Sequence, residues 1–252
     1  MSGHSKWAGI KHKKAVVDAR RGQVFTKVAR ELTVAAREGG PDPAGNFRLR
    51  LAVQKARDVN MPADNIERAI ARGAGSKDGA QLEDIRYEGY GPHGVAVMVD
   101  VLTDNRNRTV AALRNIFTRA GGSLGETNSV GWMFNQRGVI AVAAGGRDPE
   151  ELALELLEVV DVGADGDISV EGSGVQVTLA PALFEQARRA LEERGYSIED
   201  AEVTMTPSTS VPLDAKQAPA VLRLLEALEE HDDVQQVYAN AEIPNDVLES
   251  VG

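Results

Sequence analysis

The sequence predicts an α+β protein of three domains: a helical N-terminal bundle followed by two α/β domains, at least one of them ferredoxin-like. Three observations carry this prediction. Apolar residues in the first 75 positions recur at helical spacing in three separate segments. From residue 82 onward, short runs of alternating apolar residues are interspersed with helical segments. Residues 137–206 read β-α-β-β-α-β, the order of the ferredoxin-like split motif. A length of 252 residues favours several domains over one, and 42% apolar with 26% charged residues is the balance of a globular chain.

The first helix is expected over Gly22 to Glu38, with Val24, Phe25, Val28, Leu32, Ala35 and Ala36 on one stripe and Gly39-Gly40-Pro41 ending it. The second runs from Ala44 to Val59, with Leu49, Ala52, Val53 and Ala56 inward and Arg48, Arg50, Lys55 and Arg57 outward. The third starts near Pro62, carries Asp64 in its first turn where the helix dipole favours an acid, and closes at Gly73. Gly73 to Gln81 reads as a linker. Asp84–Tyr90 and Val95–Leu102 form a strand pair around Gly91-Pro92-His93-Gly94, followed by a helix from Asn105 to Ala120. After the β-α-β-β-α-β stretch, a helix over Ala215–Glu230 and a strand over Val234–Ala239 remain. One helix and one strand cannot form a core alone, so they are expected to return to the middle domain. The expected domains are therefore 1–75, 82–136 together with 207–245, and an inserted 137–206.

Charge is divided unevenly along this plan. Residues 1–75 hold 15 Lys+Arg against 7 Asp+Glu, a balance of +8; residues 76–136 are at −1; residues 137–252 hold 7 against 24, a balance of −17. The first fourteen residues contain Lys6, Lys11, Lys13, Lys14, Trp7 and two histidines, and no acid. Basic residues continue into the helices as Arg20, Arg21, Lys27, Arg30, Arg48, Arg50, Lys55 and Arg72, so the positive charge forms a surface and not only a tail. A basic front on an acidic protein orients it toward a polyanion, and a tryptophan among lysines can stack on a base. The competing reading is a solvated basic tail with no partner.

A second anion site is a candidate at Asn105, Arg106, Asn107 and Arg108. Two arginines at a helix start are disfavoured by the dipole by roughly 0.3–1 kcal/mol each unless an anion is present. The alternative is that Asp104 caps the helix and the arginines pair with the protein's own carboxylates.

Patterns that would indicate catalysis fail on context. Gly89, Gly91 and Gly94 satisfy G-x-G-x-x-G, but a strand follows where a dinucleotide site needs a helix. Gly121, Ser123 and Gly125 satisfy G-x-S-x-G, with a helix before them where the nucleophile elbow needs a strand. Cysteine is absent, the four histidines are scattered, and Asp161, Asp165 and Asp167 do not fit an EF-hand loop. No cofactor or metal is expected. The most apolar run, Val95 to Leu102, is eight residues long with Asp100 inside it, far short of a membrane span, and the N-terminus lacks the apolar stretch of a secretory signal, so a cytoplasmic location is expected.

The stretches GHSKWAGIKHKK, DARRGQVFTKVARELTVAAREGG, MPADNIERAIARG, YEGYGPHGVAVMVDVLTDNRNRT, GGSLGE, WMF and DDVQQVYAN resemble those of the YebC-type family of bacteria and mitochondria. The resemblance spans essentially the whole chain. One departure is Asn128, where the family usually has glycine. The resemblance implies a helical N-terminal domain and two α/β domains. It also implies a role as a transcriptional regulator, or in translation as a mitochondrial activator of respiratory-subunit synthesis or a ribosome-associated factor acting at proline-rich stalls. The combined expectation is a non-enzymatic, nucleic-acid-binding regulator of gene expression, with ribosomal RNA or DNA as ligand and the ribosome as a candidate partner. The alternative is a small-molecule-binding or protein-interaction module with the basic end incidental.

Overall fold

The structure, a computed structural model, describes residues 18–75 and 82–243, with side chains described from residue 22 onward. Helix α1 (Asp18–Gly39) buries Val28, Leu32, Ala35 and Ala36 on the expected stripe. Gly40 takes φ +87°, the left-handed conformation open to glycine, and its N–H closes on the Ala36 carbonyl. Helix α2 (Phe47–Asp58) begins three residues later than the sequence indicates because Asn46 caps it. The Asn46 side chain accepts from the Leu49 N–H at 3.0 Å and donates to the Ala35 and Gly40 carbonyls at 2.7 and 2.8 Å. One buried amide thus fixes the end of α1 to the start of α2.

Helix α3 (Ala63–Gly75) corrects the expected stop at Gly73, which is buried inside the helix. A Cβ at Gly73 would lie 2.2 Å from the Thr33 carbonyl oxygen, so this glycine allows α1 and α3 to pack backbone to backbone. The expected linker therefore starts after Gly75, and residues 76–81 lie outside the described residues.

Strand β1 (Glu83–Tyr90) pairs antiparallel with β2 (Ala96–Thr103) in the register Glu83 to Thr103. Helix α4 (Arg106–Arg119) follows, and β3 (Ser123–Leu124) returns to the other edge of β1. Further along the chain come β8 (Val211–Pro212), α7 (Ala218–Glu229), β9 (Val234–Ala239) and β10 (Ala241–Glu242), with β8 and β10 paired in parallel. Strand β9 pairs with β2, so the sheet order is β3-β1-β2-β9 and the late helix and strand complete a sheet begun more than a hundred residues earlier. Leu113 and Phe117 of α4 and Val221, Leu224, Leu225 and Leu228 of α7 pack with Val97, Val99 and Val101 of β2. Strand β2 is also buried at Ala96, Met98 and Leu102, which explains its nearly unbroken apolar sequence.

Between the two halves of this sheet lies β4 (Phe134–Ala143), α5 (Pro149–Val159), β5 (Asp167–Glu171), β6 (Gly174–Leu179), α6 (Phe184–Glu193) and β7 (Ile198–Pro207). The order is β-α-β-β-α-β, and the sheet runs β5-β6-β4-β7, antiparallel throughout. Its buried residues include Ile140, Val142, Leu152, Leu156, Val177, Phe184 and Leu191. Strand β4 begins at Phe134, four residues before the expected start, because Phe134 to Arg137 pair with Thr204 to Pro207. The chain divides into two compact units: the helical bundle together with the first sheet, and Phe134–Ser208. Among the described residues, no helix is long and apolar enough to cross a membrane.

Candidate nucleic-acid interface

The expected basic surface is placed by α1, α2 and α3. Lys6, Trp7, Lys11, Lys13 and Lys14 lie outside the described residues, and Arg20 and Arg21 stand in the first turn of α1 where only the backbone is described. The remaining expected contacts separate into two groups.

Lys27, Arg30 and Arg48 are held by the protein itself. The Lys27 ammonium donates to the Glu229 carbonyl, and Arg30 donates to the Asp232 carbonyl at 2.7 Å and the Asp233 carboxylate at 3.2 Å. These bonds fasten α1 to the turn between α7 and β9. Arg48 donates to Glu31 at 2.8 Å, Glu38 at 2.7 Å and Asp84 at 2.7 Å, joining α2 to α1 and to the start of β1. Burial alone would lower the Arg48 pKa, but hydrogen bonds and charge from Glu31 and Asp84 outweigh it and raise it above the ordinary value. A guanidinium in three charge-assisted bonds offers little to an external phosphate.

Arg50 and Arg72 are presented differently. Arg50 lies over the Phe47 ring, 5.7 Å from its centroid, and reaches the Ala44 carbonyl at 3.4 Å. Phe47 is itself exposed. Lys55 is exposed on α2 and Arg72 on α3. Arg57, expected outward on α2 though not among the candidate contacts, is exposed, and so is Arg68 of α3, which the sequence pattern did not single out. Arg68 stands one turn before Arg72, and that spacing was the available signal.

The candidate second anion site is largely satisfied from within. Asn105, not Asp104, caps α4, accepting from the Arg108 N–H at 3.0 Å. The Arg108 guanidinium donates to Asp104 at 2.8 Å and Asp233 at 3.1 Å, and both bonds raise its pKa, Asp233 foremost. Thr109 also donates to Asp233, at 2.7 Å, and Thr103 at 3.3 Å. Asp233 is 3% exposed. Burial pushes its pKa up, but the bonds from Thr109 and Arg108 and the nearby charge of Arg108 and His231 more than reverse this, leaving it below the ordinary value. Arg106 and Asn107 stay exposed. Arg106 lies beside Tyr87, whose pKa is raised by burial and drawn back in part by the arginine.

Two glycine patterns also resolve into structure. Gly89 lies in β1, where an added Cβ would meet the Ser123 carbonyl oxygen at 2.6 Å, and Gly94 takes φ +77° in the turn to β2. Gly125 donates its N–H to the Glu88 carbonyl at 2.8 Å. The buried Glu88 carboxylate accepts from the N–H groups of Asn128, Val130 and Gly131 at 3.0, 2.8 and 2.6 Å, pinning the loop around Ser129. Asn128 takes φ +67°, a conformation that glycine adopts most readily and asparagine tolerates. Among the described residues, no group of three His, Cys, Asp or Glu side chains is placed to hold a metal ion.

Lys55 and Arg57 of α2 and Arg68 and Arg72 of α3 are exposed, with Arg50 half-buried. Comparison with known proteins gives the following. Residues 5–76 match the family model described as the TACO1/YebC protein N-terminal domain, and residues 82–241 match the model of the TACO1/YebC second and third domain. A relative from Pelotomaculum thermopropionicum is 54% identical over 243 residues, covering 96% of this chain and 99% of its own. One from Shewanella oneidensis is 52% identical over 252 residues, with both chains covered in full. Each bears the name "Probable transcriptional regulatory protein". The crystal structure of a conserved hypothetical protein from Aquifex aeolicus is 47% identical, with a TM-score of 0.81 over 93% of this chain and 96% of the other.

Proposed function

This chain belongs to the TACO1/YebC family, and from that premise we propose that it is a non-enzymatic, cytoplasmic regulator of gene expression that binds nucleic acid through its helical N-terminal part. The observation that carries the proposal is the set of exposed basic residues on α2 and α3, Lys55, Arg57, Arg68 and Arg72, in a sequence whose first fourteen residues hold four lysines and no acid although its net charge is −10. A basic patch on a protein of net negative charge is the part of it drawn toward a polyanion during encounter. The names carried by relatives support a role in transcription. A ribosomal RNA ligand and a role in translation suit the same surface, because phosphate contacts are common to both.

Titration of the purified protein against ribosomal RNA fragments and against duplex DNA, at salt between about 50 and 200 mM, tests the reading. The logarithm of the binding constant should fall linearly with the logarithm of salt concentration. Deleting residues 2–14 removes four lysines and should flatten that slope by about 3. Binding that is absent for both ligands, or insensitive to salt and to the deletion, would show the basic end to be incidental. Ribosome co-sedimentation at matched salt separates the translational from the transcriptional form.

A further inference from the structure

We propose that the outer face of α5 is a docking surface for a basic amphipathic helix of another protein, whose apolar side covers Leu154 and Leu157 and whose cations meet Glu150 and Glu158. Such a contact stands whether or not the helical bundle binds nucleic acid.

Helix α5 completes its part of the core with other residues. Leu152 and Leu156 are 1% and 0% exposed, and Val160, just past the helix end, is 5% exposed. A helix lying on a sheet ordinarily turns polar side chains outward once such a stripe is buried. Here Leu154 is 68% and Leu157 57% exposed, and among the described residues Trp132 alone of the other large hydrophobics is more than half exposed. The two leucines are three positions apart, which places them side by side along the helix. Val170 adds to the apolar area on this side of the segment. It is exposed on β5, the edge strand against which α5 packs, and its pairing with the buried Val175 puts it on the helix side of the sheet. A single exposed leucine needs no account, whereas apolar side chains grouped on one face mark a contact surface.

The charge around the leucines selects the occupant. Glu150 and Glu158 lie four positions before and four after Leu154, both exposed, so they border it along the same line of the helix. The Arg147 guanidinium is bonded to Glu155, which Tyr196 also engages, and neither Glu150 nor Glu158 makes an ion pair among the described residues. The 134–208 segment holds 5 Lys+Arg against 15 Asp+Glu, a balance of −10, equal to that of the whole chain. A nucleic acid, an anionic membrane surface and a second copy of the segment all bring negative charge and are repelled. A cationic protein is attracted, and an apolar side on it lets the leucines leave water. A helix fits this face better than a strand does. Leucines three apart match the repeat of a packed helix, while β5 is five residues long and carries Asp167 and Glu171 at its ends, which discourages strand addition.

The test is an anisotropy titration of the full-length protein with a fluorescein-labelled peptide of leucine and lysine whose leucines recur at helical spacing. Two control peptides carry glutamate in place of each lysine, or the same composition with the leucines dispersed around the helix. The wild type should bind the first peptide about tenfold more tightly than either control. Leu154→Gln with Leu157→Gln should weaken that binding by about tenfold, and Glu150→Gln with Glu158→Gln should weaken it and reduce its dependence on salt. Glu193→Gln with Glu199→Gln, exposed acids of α6 and β7, should change it by less than about twofold. Should the leucine double variant melt early, Leu154→Gln alone, at the more exposed position, gives the same comparison. Binding lost with the leucines and kept in the Glu193 and Glu199 variant supports the surface. Equal binding by the leucine variants, equal binding of the dispersed peptide, an equal loss in the Glu193 and Glu199 variant, or no binding at all overturns it. A concentration-dependent dimer in sedimentation equilibrium that the leucine substitutions disperse would assign the face to a second copy, and overturns the proposal as well.

Discussion

At the scale of single residues, two buried carboxylates, Glu88 and Asp233, organise the first compact unit. Glu88 accepts three backbone N–H groups of one loop, and removing it would leave those donors without an acceptor. Glu88→Ala is therefore expected to cost about 3 kcal/mol in urea unfolding. Asp233 joins α1, β2 and α4 through Arg30, Thr103, Thr109 and Arg108. Its folded pKa lies below the ordinary value of 3.8, so its contribution to stability is complete above that value and is lost as pH falls through the lowered one. The expected outcome is that Asp233→Asn is less stable than the wild type at neutral pH, and that the gap in urea midpoint closes as pH is lowered below about 4. A gap that persists unchanged to the acid limb would mean that the charge of Asp233 contributes nothing.

At the scale of elements, glycine has opposite meanings at two helical positions. Gly22 in α1 has nothing within 4 Å of where a Cβ would stand, whereas at Gly73 in α3 that Cβ would meet a backbone oxygen at 2.2 Å. Alanine is favoured over glycine in a helix by about 1 kcal/mol. At Gly22 that preference acts unopposed, and Gly22→Ala should raise the melting temperature slightly. At Gly73 a carbonyl cannot move aside as a flexible side chain can, so Gly73→Ala should destabilise by about 1–3 kcal/mol despite the propensity. Calorimetric melting of the two variants checks the pair. The same contact keeps α1 and α3 close at one end.

At the scale of the whole molecule, the two ends of the 134–208 segment emerge side by side, Phe134 opposite Pro207 and Asn135 opposite Thr206. A segment whose ends pair with each other imposes little on the chain that holds it. Replacing residues 134–208 by a short Gly-Ser linker should leave the bundle and the β3-β1-β2-β9 sheet folded, and the excised segment should fold alone. Amide exchange protection in β2 and α7 of the shortened chain checks the first half. Loss of protection there would mean that the segments form one cooperative unit. If the shortened chain also retains nucleic-acid binding, the acidic segment is not part of the contact surface.

The sequence by itself determined the helical stripes of α1, α2 and α3, the register-ready strands β1 and β2, the β-α-β-β-α-β order and the separation of charge. All of these rest on local periodicity or on composition, which short stretches carry in full. Only the tertiary structure decided the roles of individual charges and glycines. Arg48 and Arg72 look alike in a run of basic residues, yet one meets Glu31, Glu38 and Asp84 and the other borders an open groove. Gly73 resembles a helix stop until Thr33 is seen against it, and Asp233 resembles one more acid in an acidic stretch until Arg108 and Thr109 converge on it. Partners that lie from 10 to about 200 residues apart leave no mark on local pattern, because which charges are neutralised is fixed by the packing of elements, not by their spacing along the chain.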